Sequence, residues 1–298
     1  MKKILVIGSL NMDFVIRTQH MPQKGETVLS DDFELVPGGK GANQAFAAGK
    51  LGGSVAMLGA VGRDEYGGAL VRSLESAGVD MCRVKVSGRT GNAFITVDGR
   101  GDNSIIVVQG ANALVDRAYI HENLDLMKSC DLVVLQLEIP LDTVCYAAET
   151  AKALGKTVIL DPAPARKGLP ESLIRAADLI KPNEVELGML LEDEDAQNHL
   201  RESAEKLLSM GAGAVAVTLG GDGAYLLTRS GEKRIFCDQS LKAVDTTAAG
   251  DSFTGAVAVA LAEGKTLEEA MEFAAKVAGI VVTRRGAQTS IPSRDEVG

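Results

Sequence analysis

Short apolar runs rich in Val, Ile and Leu recur along the chain, separated by longer stretches in which apolar positions return every three or four residues. The runs are KILVIG near 3–8, SVAMLGAVG near 54–62, DLVVLQLE at 131–138, KTVILDPAP at 156–164, DLIKPN at 178–183 and AVAVTLG at 214–220. A strand that is apolar at successive positions buries both faces, so these runs predict a mostly parallel sheet covered on both sides. The segments GANQAFAAGKLG, LDTVCYAAETAKALG and NHLRESAEKLLSMG are amphipathic and each closes on a glycine, which ends a helix at little steric cost. The expected fold class is α/β, with a Rossmann-like, mostly parallel central sheet and helices on both faces.

Two regions depart from this pattern. Residues about 12–36 and about 91–109 alternate apolar and polar positions, as half-exposed antiparallel strands do, and carry glycine or proline turn chemistry. They are expected to meet as a small β-sheet lid, built from two excursions of a single domain spanning 1–298. A small sheet with an apolar face and open edges needs a partner, which predicts a homodimer through the lid. No internal repeat, low-complexity tract or long linker interrupts the chain.

Charge narrows the possible partners. A formal net charge of −9 over 298 residues leaves no basic footprint for nucleic acid or an anionic membrane, although a small anionic substrate can still meet a local basic cluster. The opening MKKILVIGSLNMDF reads as the first strand rather than a leader, because Asn11 and Asp13 follow the apolar run too soon. No apolar stretch approaches the roughly 20 residues that cross a bilayer, so a cytoplasmic protein is expected. Cys82, Cys130, Cys145 and Cys237 lack the spacing of a metal or redox site and read as buried thiols.

Several short motifs carry no chemistry. GKT at 155–157 and 264–266 lacks the upstream glycine of a phosphate loop and reads as a turn. No GxGxxG follows the first strand, which argues against a nicotinamide-dependent dehydrogenase. The RGD at 100–102 and the acidic loop around it read as a hairpin turn. His20, His121 and His199 form no triad or metal pattern and read as surface groups.

Three elements do point to chemistry. In VPGGKGANQA, glycines at 38, 39 and 41 let the backbone approach a ligand closely, and Lys40 and Asn43 stand at the same helix mouth. In GSLNMDF, Asn11 and Asp13 project to one side just past the first strand, where ligands bind in open α/β sheets; Glu138 closes a matching strand end. A carboxylate paired with an amide suits the hydroxyls of a sugar. In TTAAGDSFTGA, Asp251 stands beside the positive end of a helix. Alone it reads as an ordinary cap. Together with the other elements we read it as a base, with the N–H groups of Ala248, Ala249 and Gly250 as an anion hole, the combination phosphoryl transfer requires.

The motifs GSLNMD, PGGKGANQA, DPAPAR, KPNEVE, TLGGDGAY, VDTTAAGDSFTGA and VTRRGAQTSIP occur in this order from Lys3 to about Pro292. In this the chain resembles the PfkB-type carbohydrate kinases, most closely their ribose-phosphorylating members. The resemblance implies ATP-dependent phosphorylation of D-ribose at its 5-hydroxyl, a magnesium ion accompanying ATP, potassium as a monovalent activator, and a lid that closes over the sugar and forms the dimer. It implies deoxyribose, a ketohexose or a nucleoside as the alternative substrates. Asn11, Asp13, Gly39, Lys40, Asn43 and Glu138 match sugar-contacting positions, and Asp251 the catalytic base. Asn183 and Glu186 match a motif tied to magnesium and phosphate, and Thr218, Gly220 and Gly223, with Gly250, the nucleotide region. The potassium loop corresponds to Asp245, Thr247, Val281, Arg284 and Gly286, with Ser290 nearby. Lys276 falls near the adenine. Family members commonly continue into a final helix after the position of SIPSRDEVG, so a shortened last element is expected.

Overall fold

The computed structural model describes residues 1–30, 33–238 and 240–298. The apolar runs lie side by side in an eight-stranded sheet ordered Gly231–Ile235, Ala224–Thr228, Ala214–Thr218, Leu179–Ile180, Thr157–Leu160, Leu132–Leu135, Lys3–Ile7 and Ser54–Leu58. From Ser54–Leu58 to Ala214–Thr218 the neighbours are parallel. The remaining two strands, which the run pattern did not mark, add an antiparallel hairpin at one edge.

Side chains of the first strand alternate between two cores. Ile4 and Val6 enter one with helices Lys40–Lys50, Ala249–Ala262 and Leu267–Val282, whereas Leu5 and Ile7 enter the other with helices Leu141–Ala153 and Leu200–Ser209. Each such fully buried aliphatic side chain stabilises the fold by about 1.5–3 kcal/mol. The helices stop as the glycine pattern predicts: Gly52, Gly155 and Gly211 take φ values of +83°, +72° and +111° just past their ends. Both GKT segments are turns, and Thr266 in the second caps the next helix reciprocally with Glu269. The last element is a short helix, Arg294–Val297, opened by a Ser293–Glu296 capping box.

Helices Lys40–Lys50 and Ala249–Ala262 pack unusually close because alanine and glycine line their contact. A Cβ on Gly255 would stand 2.8 Å from both the Ala47 Cβ and the Gln44 carbonyl. This approach brings both helix N-termini to the carboxyl edge of the sheet.

The alternating regions fold into a separate four-stranded sheet ordered Phe33–Gly38, Asn11–Arg17, Gly91–Val97 and Asn103–Val108. Residues 31 and 32, inside the first expected excursion, lie outside the described residues. The expected antiparallel pairing needs one correction: the central pair, Asn11–Arg17 with Gly91–Val97, is parallel. Each excursion is a hairpin, and Asn11 and Gly91 pair at the base, so the two outgoing strands run in the same direction. Phe14 stacks on Phe94 at 5.1 Å and meets Tyr66 edge-on at 5.5 Å, anchoring this sheet to helix Glu65–Ser76.

Candidate active site

Strand register assembles the floor of the site. Ile7 and Leu160 both pair with Leu135, and Leu160 also pairs with Ile180. The residues one step beyond, Gly8, Gln136, Asp161 and Lys181, therefore form a row along the carboxyl edge. Glycine is required above this row: a Cβ on Gly41 would stand 2.6 Å from the Ser9 nitrogen, and Gly39 holds φ at +90°.

Asp251 occupies the first turn of helix Ala249–Ala262 but does not cap it. Its carboxylate turns across to the neighbouring helix, where Asn43 Nδ2 donates to Oδ2 at 3.0 Å and Gln44 Nε2 to Oδ1 at 3.1 Å. That geometry excludes the simple capping role. Ala248, at φ +59°, starts the helix in the left-handed region. The Ala249 N–H donates to Thr246 O at 3.2 Å, so the expected three-amide hole is modified. At this helix mouth, no acceptor among the described residues meets the N–H groups of Ala248, Gly250 and Asp251.

At the base of the four-stranded sheet, Asn11 is buried and its Oδ1 accepts from Asn112 Nδ2 at 2.8 Å, which leaves its own amide hydrogens as donors. Glu138 accepts from Ser9 Oγ at 2.5 Å and from the Lys40 backbone N–H at 3.1 Å, tying the helix mouth to the strand end. Asp13 fills the space that Gly38 leaves. Burial, then the neighbouring charges of Glu138 and Asp251, push its carboxyl up to about 7, against the pull of Lys40. For Lys40, burial opposes the charged form, but Asp251, Asp161, Glu138 and Glu186 outweigh it and hold the ammonium strongly protonated.

Asp251 lies in the wall of a polar cavity of about 200 Å³ that also meets Lys40, Asp161, Lys181 and Glu186. Beyond Gly250 this opens into a larger, mostly apolar cleft of about 340 Å³, which contains Thr218, Gly220, Gly223, Phe253 and Gly279. Lys276 borders a neighbouring depression with Phe236 and Leu241. Asn183 and Glu186 form a capping box: Asn183 Oδ1 accepts from the Glu186 N–H, and Glu186 Oε2 from the Asn183 N–H, each at 2.8 Å. Both residues still face the polar cavity.

Asp245 joins the two loops of the expected potassium region. Its carboxylate accepts from the Thr247 N–H and the Gly286 N–H, each at 2.9 Å, and Val244 N–H donates to Val282 O at 2.7 Å. The carbonyl of Val281 accepts from Arg284 N–H at 3.0 Å, while Ser290 is buried with its hydroxyl donating to Ala287 O.

Other expected side chains lie elsewhere. His20, His121 and His199 are exposed, with Glu26, Tyr146 and Asp195 as partners. Cys130 and Cys145 are buried as expected, but Cys82 is exposed, because it lies in a loop turned by Asp80, and Cys237 is half-buried beside the apolar cleft. The RGD is a turn organised by Asp98, which accepts from the N–H groups of Arg100 and Asp102. Gln44, Asp161 and Lys181 were missed from sequence. The available signal was their place one residue past a strand or within the helix turn that carries Asn43.

Residues 1–294 match the pfkB family carbohydrate kinase pattern. The chain belongs to this family. Among pfkB relatives, the ribokinase of Schizosaccharomyces pombe is 41% identical, with 100% of this chain and 97% of the relative covered. The deoxyribokinase of Salmonella typhimurium is 39% identical, with 98% and 96% covered. The solved Arabidopsis thaliana ribokinase, complexed with ribose and ATP, superposes with a TM-score of 0.92 at 32% identity and covers 99% of this chain and 97% of that one. Within this carbohydrate kinase fold, the polar cavity and the apolar cleft share Asn183, Thr218, Thr246 and Gly250 as walls. Among the described residues, no helix is long and apolar enough to cross a membrane.

Proposed function

We propose that this chain transfers the terminal phosphoryl group of ATP to the 5-hydroxyl of D-ribose, giving ribose 5-phosphate and ADP. The observation that carries this reading is the placement of Asp251: a carboxylate fixed by Asn43 and Gln44, beside free helix N-terminal amides, where the polar cavity meets the apolar cleft.

The sugar lies under the lid against Asn11, Asp13, Gly39, Lys40, Asn43 and Glu138. Its 5-hydroxyl approaches Asp251, which takes the proton as the oxygen attacks the terminal phosphorus. The amides of Ala248, Gly250 and Asp251 receive the charge spread over the transferring group, a role worth about 3–4 kcal/mol per well-placed donor. ATP occupies the cleft past Gly250, with Asn183, Thr218, Gly220 and Gly223 around its phosphates and ribose and Lys276 toward the adenine. The lid excludes water, which limits wasteful hydrolysis of ATP.

Magnesium accompanies ATP in this reading. The cavity suits it: the ion keeps several waters and needs one or two carboxylates beside the phosphates, and Glu186, Asp161 and Asp251 face that space. When bound, it neutralises charge between the terminal phosphates. Potassium fits the loops that Asp245 joins, with carbonyls of Asp245, Thr247, Val281, Arg284 and Gly286 as ligands and Ser290 nearby. Equal rates in sodium and potassium at matched ionic strength would remove it.

The whole chain acts as one domain in the cytoplasm, and two copies pair through the lid. Every residue of Asn103–Val108 is exposed, including four large aliphatics in succession, which supports an interface there. The deoxyribose alternative has a relative nearly as similar as the ribokinases. Asn11 and Asp13 favour the sugar with vicinal hydroxyls, because a buried polar group left unpaired penalises the analogue. Asp251→Asn tests the assignment: turnover is lost while ribose still binds, and retained turnover would displace Asp251 from its role.

A further inference from the structure

The register that pairs Leu160 with Ile180 sets Asp161 and Lys181 side by side at the floor of the polar cavity. They form an ion pair of 3.3 Å whose side chains are 2% and 4% exposed. A buried pair is weak evidence for a stabilising purpose, because apolar residues of similar size often serve as well. This pair is also incompletely satisfied. Asp161 Oδ1 has no hydrogen-bond partner among the described residues. The Lys181 ammonium has three hydrogens but two acceptors, Asp161 Oδ2 and Gly250 O, the latter at 3.4 Å.

The second acceptor is informative. Gly250 supplies one of the free amides at the helix mouth, so Lys181 rests against the backbone of the anion hole. Lys40 reaches the cavity from the sugar-side helix, and Lys181 reaches it from the strand that leads to Asn183. A phosphoryl group crossing between ATP and sugar needs fixed positive charge along its path, on both sides.

We propose that Lys181 is a further catalytic residue, its ammonium touching the phosphoryl group in transit, and that Asp161 is the positioning residue that holds it there. This deepens the phosphotransferase reading above and rests on it. In the step, the sugar hydroxyl oxygen forms a bond to the terminal phosphorus while the bond to the bridging oxygen breaks. The proton goes to Asp251, and the electron pair of the broken bond leaves with ADP. Lys181 exchanges no proton; it stabilises the phosphoryl oxygens. Asp161 is itself fixed, because Oδ2 also accepts from Gln44 Nε2 at 2.8 Å and Thr254 Oγ1 at 3.3 Å. Gln44 donates to Asp251 as well, so ammonium and base share one frame.

The test compares the unsubstituted protein with Lys181→Met, Lys181→Arg and the pair Asp161→Asn with Lys181→Met. Steady-state rates with MgATP and D-ribose are read beside ribose binding by calorimetry. Lys181→Met is expected to lower kcat about 100-fold, as loss of a transition-state contact does, with ribose affinity held within about threefold. Lys181→Arg recovers part of the rate. The double variant stays as slow as Lys181→Met, although it no longer buries an unpaired carboxylate; it also carries the comparison if Lys181→Met fails to fold. A double variant restored to nearly the unsubstituted rate would show that Lys181 only neutralises Asp161 and would overturn the proposal, as would full kcat in Lys181→Met. An unsubstituted protein that phosphorylates no sugar would overturn the kinase reading itself, an outcome visible before any substitution is made.

Discussion

Asn43 donates its side-chain amide to Asp251 at 3.0 Å, joining residues 208 positions apart. Its neighbour Gln44 holds the other oxygen at 3.1 Å and reaches Asp161 at 2.8 Å. One helix turn thus orients the Asp251 carboxylate and anchors that of Asp161.

Gln44→Leu tests that arrangement. It leaves Asp161 and Asp251 each one donor short in a buried setting, which is expected to cost about 1–3 kcal/mol of stability. Loss of orientation at Asp251 should lower kcat by roughly tenfold or more, with little change in the KM for ATP. Thermal unfolding and steady-state kinetics check both effects; a variant unchanged in either would show that Gln44 is not holding the base.

Gly41→Ala is expected to be damaging for a different reason. Its Cβ would stand 2.6 Å from Ser9 N and 2.7 Å from Gly8 C, and backbone cannot swing aside as a side chain does. The helix must back away, carrying Asn43 and Gln44 from Asp251. A loss of about 1–3 kcal/mol and a fall in kcat of up to about 100-fold are expected. Gly52→Ala is the control: it faces open space at φ +83°, so it should cost stability through backbone strain without altering kcat.

Asp13 should make both stability and sugar binding depend on pH. Its carboxyl is pushed from an ordinary 3.8 to about 7, chiefly by burial and then by Glu138 and Asp251. The folded protein therefore holds this proton more tightly than the unfolded chain does. The linked stability is fully present below about pH 4 and is lost as pH rises through about 7. Asp13→Asn should consequently raise the melting temperature relative to the unsubstituted protein more at pH 8 than at pH 5. Ribose hydroxyls need an acceptor, so affinity should rise with pH through the same range and become flat in Asp13→Asn. Calorimetry across pH 5.5–8.5 showing an unchanged slope in that variant would assign the dependence to another group.

The four-stranded sheet makes a prediction about assembly. Ile106 is 67% exposed within a strand exposed along its whole length. Ile106→Lys should convert a dimer to a monomer in light scattering while preserving the fold of the α/β sheet. A monomer before substitution would count against pairing through this surface.

Much of the architecture was legible because burial imposes pattern. Runs such as LVVL at 132–135 and AVAV at 214–217 are apolar at every position, as strands covered on both faces must be. The hairpin Ala224–Thr228 with Gly231–Ile235 escaped notice, because its outer strand GEKRI is largely exposed and lacks that pattern. The parallel pairing of Asn11–Arg17 with Gly91–Val97 depends on where two distant excursions leave the sheet, which no local pattern records. Glycine chemistry and the acid beside a helix start pointed to Gly39, Lys40, Asn43 and Asp251. Asp161 and Lys181 were not legible as a pair, since their contact follows from the register of two strands that the sequence leaves open.

Sugar-dependent ADP release from MgATP in potassium buffer, with D-ribose, 2-deoxyribose, fructose and adenosine offered separately, is the most direct measurement. Turnover should be fastest with D-ribose and should fall by about 1,000-fold or more in Asp251→Asn while ribose binding persists. Silence on all four substrates, or undiminished turnover in Asp251→Asn, would contradict phosphoryl transfer at this site.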